Sequence, residues 1–341
     1  MKVLVTGCDG YLGSLLTTRL LREGHDVTGI DVGFFRAAWL YNGQAEAPRT
    51  ISKDVRHITR SDLEGFDVVV HMGELSNDPL GQLDPGLTAK VNHGGSLRLA
   101  ELAKDAGVSR FIHMSSCSVY GIVDGIVDET SPIDPQTAYA RCKAMVERDV
   151  HSLADDDFSP TFLRNATAFG ASPRMRFDIV LNNLAGVAWT TNEIAMTSDG
   201  SPWRPLVHGL DIAKAILCVL DAPREAIHDE VFNVGDNTQN YRVREIAEAV
   251  AAVFTDCAIS FGPADADNRS YRVNFDKINT SLPGFRCEWS AERGAQQLYD
   301  VLSSTQLTQD EFAGRNYIRL RQLEHLIATG QVDHELFWTT T

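Results

Sequence analysis

Tyr139 and Lys143 stand four residues apart in the run Tyr139-Ala140-Arg141-Cys142-Lys143. On a helix that spacing puts both side chains on one face, a turn apart. A phenol loses its proton near pH 10 and is a poor base at neutral pH, but a nearby ammonium favours the phenolate. Lowering its pKa by ~3 takes roughly 4 kcal/mol of differential interaction, attainable in a partly dry site. Such a pair can take a proton from a substrate hydroxyl and give it back.

A partner for that chemistry is written near the start of the chain. Gly7-Cys8-Asp9-Gly10-Tyr11-Leu12-Gly13 follows the apolar run Val3-Leu4-Val5 and leads into the amphipathic segment Leu12 to Leu21. That is strand, glycine turn, helix. The first glycine permits the tight turn, the second lets backbone approach a pyrophosphate, and the third lets helix pack on strand. The helix start offers free N–H groups and a positive dipole end to phosphates. A second apolar run, Val27-Thr28-Gly29-Ile30, ends in Asp31. A carboxylate there accepts from both ribose hydroxyls and repels a 2′-phosphate. No arginine follows until Arg36, so the pattern favours NAD over NADP. The positively charged nicotinamide would add to Lys143 in favouring the Tyr139 phenolate.

The elements that must hold these residues alternate. Strands are expected at Val3–Thr6, Asp26–Ile30, Val68–Met72, Phe111–Ser115 and Thr161–Leu163, and helices at Leu12–Arg22, Leu87–Ala106 and Ala138–Leu153. This rhythm predicts an α/β fold with a Rossmann-type doubly wound parallel sheet, ligands lying beyond the carboxyl ends of its strands. After Gly170 the rhythm breaks, with Pro173, Pro202 and Pro205 as punctuation. Strand-like and helical pieces return at Pro205–His208, Leu210–Leu220 and Val231–Val234. The expected division is a nucleotide-binding domain over 1–167, with a return segment near 205–236, and a smaller substrate domain with a helical tail over 168–341. The apolar segment Phe34 to Tyr41 reads as a packed helix or subunit contact, with a lid as the alternative. Thr308-Gln309-Asp310-Glu311 carries a capping-box pattern, and Ile318, Leu323, Leu326 and Ile327 form a candidate apolar stripe beyond it.

Composition bounds the partners. In 341 residues, 43% are hydrophobic and 23% charged, ordinary values for a chain that buries a core. A formal net charge of −15 disfavours nucleic acid and anionic membrane surfaces, and requires local arginines for any anionic substrate. Six cysteines with no CxxC pair fit a reduced, cytoplasmic setting, with neither a signal peptide nor a membrane span expected. No metal site is expected.

Taken together, Thr6-Gly7-x-x-Gly10-x-x-Gly13, Asp31, Asp54, His71, Asn92, Ser115-Ser116, Val119-Tyr120-Gly121, Tyr139-x-x-x-Lys143, Arg164 and Gly170 resemble an extended short-chain dehydrogenase/reductase of the nucleotide-sugar-modifying group. Asn182-Asn183-Leu184, Arg204 with His208 and Asp211, and Arg269 continue the likeness. The resemblance implies that Ser116 hydrogen-bonds the sugar hydroxyl beside Tyr139, and that Lys143 holds both the phenolate and the nicotinamide ribose. It places Gly7, Gly10, Tyr11, Leu12, Gly13, Asp31, Asp54, Val55, Met72, Gly73, Asn92, Ser115, Tyr139 and Lys143 at the cofactor. It places Ser116, Cys117, Ser118, Thr167, Asn183, Leu184, Arg204 and Arg269 at the sugar nucleotide, with Arg174 and Arg176 as further candidates. It also implies a homodimer through the Leu87–Ala106 and Ala138–Leu153 helices. His71 is given no chemical role. Glu74 falls where the family has a small residue, and is read as facing the substrate entrance or as a solvated loop charge.

Departures bear on the reaction. Dehydratases of the family carry Asp-Glu where this chain has Cys117-Ser118, so elimination is disfavoured. Cys117 reads either as a substrate-facing acid or base or as a buried thiol. Thr167 replaces a family Asn that contacts the sugar or diphosphate. The leading expectation is an epimerase of nucleoside-diphosphate sugars working through a transient ketone with tightly bound NAD. The alternatives are a nucleotide-sugar dehydrogenase or ketoreductase with exchangeable NAD(H), a dehydratase, and a non-catalytic dinucleotide sensor.

Overall fold

A computed structural model describes residues 1–43, 47–76, 79, 81, 84–263 and 270–339. Seven parallel strands form one sheet. In spatial order they are Glu230–Val234, Ser159–Asn165, Arg110–Ser116, Val68–His71, Lys2–Thr6, Asp26–Asp31 and Arg49–Ser52. The chain starts at Lys2–Thr6, moves outward to one edge, then returns to build the other side from Val68–His71. The gap beyond the ends of those two neighbours is the switch point of a doubly wound sheet.

Both faces of the sheet are covered, so its central strands, such as Val68–His71, are buried along their length. Val3 and Val5 pack on one side with Leu16, Leu20, Ile212 and Ile216 from the helices Tyr11–Arg22 and Gly209–Asp221. Leu4 and Val69 pack on the other with Leu99, Ala103, Val146 and Val150 from Ser96–Asp105 and Ala138–His151. The expected Leu87–Ala106 helix is interrupted: a π-helical stretch, Ala89–Gly95, joins Pro85–Thr88 to Ser96–Asp105.

The second lobe holds a three-stranded sheet of Asn240–Arg242, Trp203–His208 and Thr167–Phe169 under the helices Val180–Thr191, Val243–Val253 and Ala291–Thr305. Its core gathers Phe169, Phe177, Leu181, Ile246 and Leu298. Within the expected return segment near 205–236, Glu230–Val234 completes the large sheet beside Ser159–Asn165, whereas Trp203–His208 belongs to the three-stranded sheet.

Two segments depart from expectation. Phe34 to Tyr41 forms turns rather than a helix, with Phe34 buried and Trp39 exposed. The tail, grouped by sequence with the second lobe, packs on the first: Leu323, Leu326, Val332 and Leu336 share a core with Leu4 and Ile30. Gln322 Nε2 donates to the Phe34 carbonyl (2.9 Å), and Trp338 Nε1 to that of Val32 (2.7 Å). The Thr308 capping box forms as read, opening the helix Gln309–Ala313.

Candidate active site

One cavity of about 470 Å³ runs from the glycine turn to the second lobe. At its floor Gly7 takes φ 73°, and a Cβ there would lie 2.8 Å from the Met72 carbonyl oxygen. Gly13 allows the helix to sit on the turn, where a Cβ would meet Cys8 Cα at 2.7 Å. No side chain caps the helix start at Gly10, which leaves its amides for a ligand. The cradle thus has the shape and donors a pyrophosphate requires. Asp31 lines the same cavity, its carboxylate accepting from the amides of Asp9 (3.0 Å) and Gly33 (2.7 Å). Burial pushes the Asp31 pKa up while those two amides pull it down.

Asp54 does two things. It caps the turn Val55–His57 and binds Arg56 through both oxygens, at 2.9 and 2.7 Å, while lining the cavity with Val55, Met72 and Gly73. The tail also reaches this end. Leu336 and Arg319 line the cavity. Arg319 lies over the Phe35 ring at 4.2 Å, donates to the Arg174 carbonyl at 3.1 Å, and leaves Nη1 without a partner. Burial and the neighbouring Arg176 drive its pKa down to about 9. A buried cation short of a counter-charge suits an anionic ligand. Sequence reading missed these residues because nothing in the tail resembles a motif.

At the chemical end, Thr137 caps the helix that presents Tyr139 in its first turn, where the helix dipole favours negative charge. The Lys143 ammonium is 5.4 Å from the Tyr139 ring centre. Lys143 is buried, donates to the Met114 carbonyl, and forms an ion pair with Glu74. Burial pushes its pKa down, but Glu74, Tyr139 and Glu147 outweigh that and hold it above the usual lysine value. The reading of Glu74 as a solvated loop charge is therefore corrected: the residue borders the cavity, but its side chain is 2% exposed and engaged with Lys143.

Ser116 and Ser118 line the cavity, the Ser116 hydroxyl accepting from the Ser118 amide at 3.1 Å. Ser115 also borders it, but its hydroxyl donates to Glu147, which holds Arg164 in a buried pair (2.7 Å). Arg164 in turn donates to the Tyr120 hydroxyl at 3.0 Å, fixing helix to sheet beneath the site.

Toward the second lobe the cavity is lined by Thr167, Arg176, Asp178, Ile179, Val180, Arg204 and Tyr271. Arg176 pairs with Asp178 at 2.8 Å. Several residues placed at ligands by resemblance do not line it. Cys117 is fully buried, its Sγ 3.1 Å from the Arg164 carbonyl, and burial drives its pKa far up; of the two readings the structure places it as the buried thiol. Asn183 donates to the Phe177 carbonyl (2.9 Å) and Leu184 joins the second-lobe core, because it is the start of their helix, Ile179 and Val180, that faces the cavity. Asn92 is buried and clamps Leu75 through both its N–H and its carbonyl. Arg174 is turned to the Phe35 carbonyl (3.2 Å) and the Trp39 ring (3.8 Å). Arg269 lies outside the described residues.

A glycine-turn dinucleotide cleft joined to a Tyr-Lys pair on a cavity-facing helix defines an extended short-chain dehydrogenase/reductase. The chain belongs to the NAD-dependent epimerase/dehydratase family, whose signature spans residues 3–235, and its cofactor is NAD. It is 31% identical over 264 residues to a UDP-glucose 4-epimerase of Mycolicibacterium smegmatis, covering 74% of this chain and 82% of that one. It is 29% identical over 313 residues to the low-salt glycan biosynthesis protein Agl12 of Haloferax volcanii, covering 88% and 98%. Among solved structures, MoeE5 in complex with UDP-glucuronic acid and NAD superposes with a TM-score of 0.77 at 25% identity, covering 89% of this chain and all of that one.

Proposed function

We propose that this chain is an epimerase of nucleoside-diphosphate sugars. The observation that carries the reading is the make-up of the cavity wall. Ser116, Tyr139 and Lys143 meet there, while each lining carboxylate among the described residues has other work. Asp31 and Asp54 serve the glycine-turn end, Glu74 pairs with Lys143, and Asp178 pairs with Arg176. Elimination needs an acid and a base at the sugar; a hydroxyl-to-ketone exchange needs only one proton carrier. Relatives named UDP-glucose 4-epimerase support the same class.

Bound in the cleft, NAD supplies the acceptor and later the donor of a hydride. The protein's own part is proton transfer and orientation. Ser116 hydrogen-bonds the reacting hydroxyl, and Tyr139 takes its proton as the alcohol becomes a ketone. The ketone turns over, and Tyr139 returns the proton as the alcohol re-forms with inverted configuration. Thr167 and Tyr271 border the sugar, and Arg204 and Arg176 hold the diphosphate, so an acidic protein binds an anion through local arginines. Asp31 accepts the adenosine ribose hydroxyls. The chain is read as a cytoplasmic homodimer; no described helix is long and apolar enough to cross a membrane.

The test is to denature the purified protein, assay released NAD, and incubate the intact protein with a panel of UDP-sugars. Retained NAD with isomer formation supports an epimerase. Stoichiometric consumption of added NADH would replace it with a ketoreductase.

A further inference from the structure

Glu74 is an acidic side chain buried against the base of the active site, at a position where the resemblance leads one to expect a small residue. A buried carboxylate is costly unless its charge is met. Here it is met from two sides. Lys143 pairs with Oε2. On the other side a chain of hydrogen bonds leads to Ser96, whose single hydroxyl proton has both the Asn92 carbonyl and Oε1 within reach. The amides of Met72 and Gly73 donate to Thr6 Oγ1, so the Thr6 proton points to His71 Nδ1 at 2.7 Å. That fixes the proton of His71 on Nε2, which donates to Ser96 Oγ at 2.7 Å. Ser96 Oγ, shared with the Asn92 carbonyl, lies 3.1 Å from Glu74 Oε1.

The groups facing Lys143 are Glu74 from the loop after Val68–His71, His71 and His113 from two strands, and Tyr139 and Glu147 from its own helix. His71 and His113 are fully buried and held neutral by burial, with Lys143 adding to the effect. Glu147 is occupied by Arg164. Tyr139 also feels the positive charge of Arg176, itself paired with Asp178. Glu74 is therefore the anion that competes with a Tyr139 phenolate for the Lys143 charge.

We propose that Glu74 is a positioning residue for proton transfer: by pairing with Lys143 it offsets the ammonium charge and keeps Tyr139 protonated until a cationic nicotinamide restores the positive field. This rests on the roles of Tyr139 and Lys143 in the proposed function, not on the sugar. Tyr139 is then a base in the oxidised holoenzyme and an acid in the reduced one, which is what successive half-reactions of an epimerase demand.

The test reads Tyr139 directly and needs no sugar. Tyrosinate ultraviolet absorbance is titrated with pH in the NAD-loaded and NADH-loaded holoenzymes, each minus its Tyr139→Phe counterpart. The signal reports the coupled Tyr139–Lys143 pair. The midpoint is expected about one pH unit lower with NAD than with NADH, a tenfold change in phenolate population. In Glu74→Gln the midpoint is expected to fall by about one pH unit in both forms. Glu74→Asp, which keeps the charge, should stay near wild type. A Glu74→Gln midpoint that is unchanged or higher overturns the proposal. Should that variant not fold, the wild type still decides: equal midpoints with NAD and NADH overturn it.

Discussion

His208 and Gln297 are joined by a hydrogen bond of 2.8 Å whose direction the structure fixes. The Leu210 amide donates to His208 Nδ1 at 3.1 Å, so the ring proton sits on Nε2 and points at Gln297 Oε1. That same oxygen accepts from the Ala171 amide at 2.8 Å. The ring also stacks on Trp289, 4.2 Å between centres. A second proton would have to displace the Leu210 amide.

Burial accordingly pushes the His208 pKa from 6.5 down to about 4. The unfolded chain binds more protons between those values, so stability falls as pH falls from 6.5 toward 4. A gap of this size corresponds to about 3 kcal/mol when fully expressed. Asp211, raised by burial to about 6, acts in the opposite sense. Urea unfolding across this range for wild type and His208→Gln isolates the histidine: the variant should lose less stability on acidification. Equal slopes would contradict the assignment.

Tyr139→Phe should fold and keep NAD, but lose roughly 10²–10⁴ in turnover, because a positioned acid/base is removed with little change in packing. Steady-state kinetics with the active sugar from the panel checks this, and near-normal turnover would remove Tyr139 from the chemistry.

Asp31→Ser should raise NADP affinity relative to NAD, since the ribose acceptor and the charge that repels a 2′-phosphate are lost together. The ratio of the two dissociation constants, by calorimetry, is the measurement. An unmoved ratio would mean that Asp31 does not meet the ribose.

Arg319→Met should weaken NAD by about 10- to 100-fold if its guanidinium faces the dinucleotide phosphates, a charge-assisted contact of roughly 1.5–3 kcal/mol. ADP-ribose should suffer as NAD does, and adenosine much less. Equal loss for adenosine would point to a packing role for the tail.

Arg204→Ala should raise the dissociation constant of UDP by about 10- to 100-fold in the NAD-loaded protein, with NAD binding near wild type. Titration of UDP into that variant decides; unchanged affinity places Arg204 away from the diphosphate.

What was legible in the sequence was what depends on neighbours in the chain. The glycine turn, the Tyr139–Lys143 face and the Thr308 cap are all set by spacings of a few residues. The strand Arg49–Ser52 was missed because it is a largely exposed edge without alternation. Phe34 to Tyr41 reads as a packed helix or subunit contact because it is apolar; in the structure it forms turns, with Phe34 packed on Trp338 of the tail. Asn183 and Leu184 were placed at the ligand because the resemblance gives sequence position and not the facing of a helix turn. Glu74 was misread for a related reason. Its partner is set by the register that puts His71 beside His113 and by the helix behind them, neither visible locally.

The tail carries a consequence for how the holoenzyme comes into being. The glycine turn and Asp31 are synthesised first, yet the wall that faces them includes Arg319 and Leu336. A nascent chain can therefore offer NAD a half-open groove long before it can enclose it. Enclosure of the cofactor site thus depends on the helix Arg319–Ala328, whose Leu323 and Leu326 share a core with Leu4 and Ile30 of the sheet.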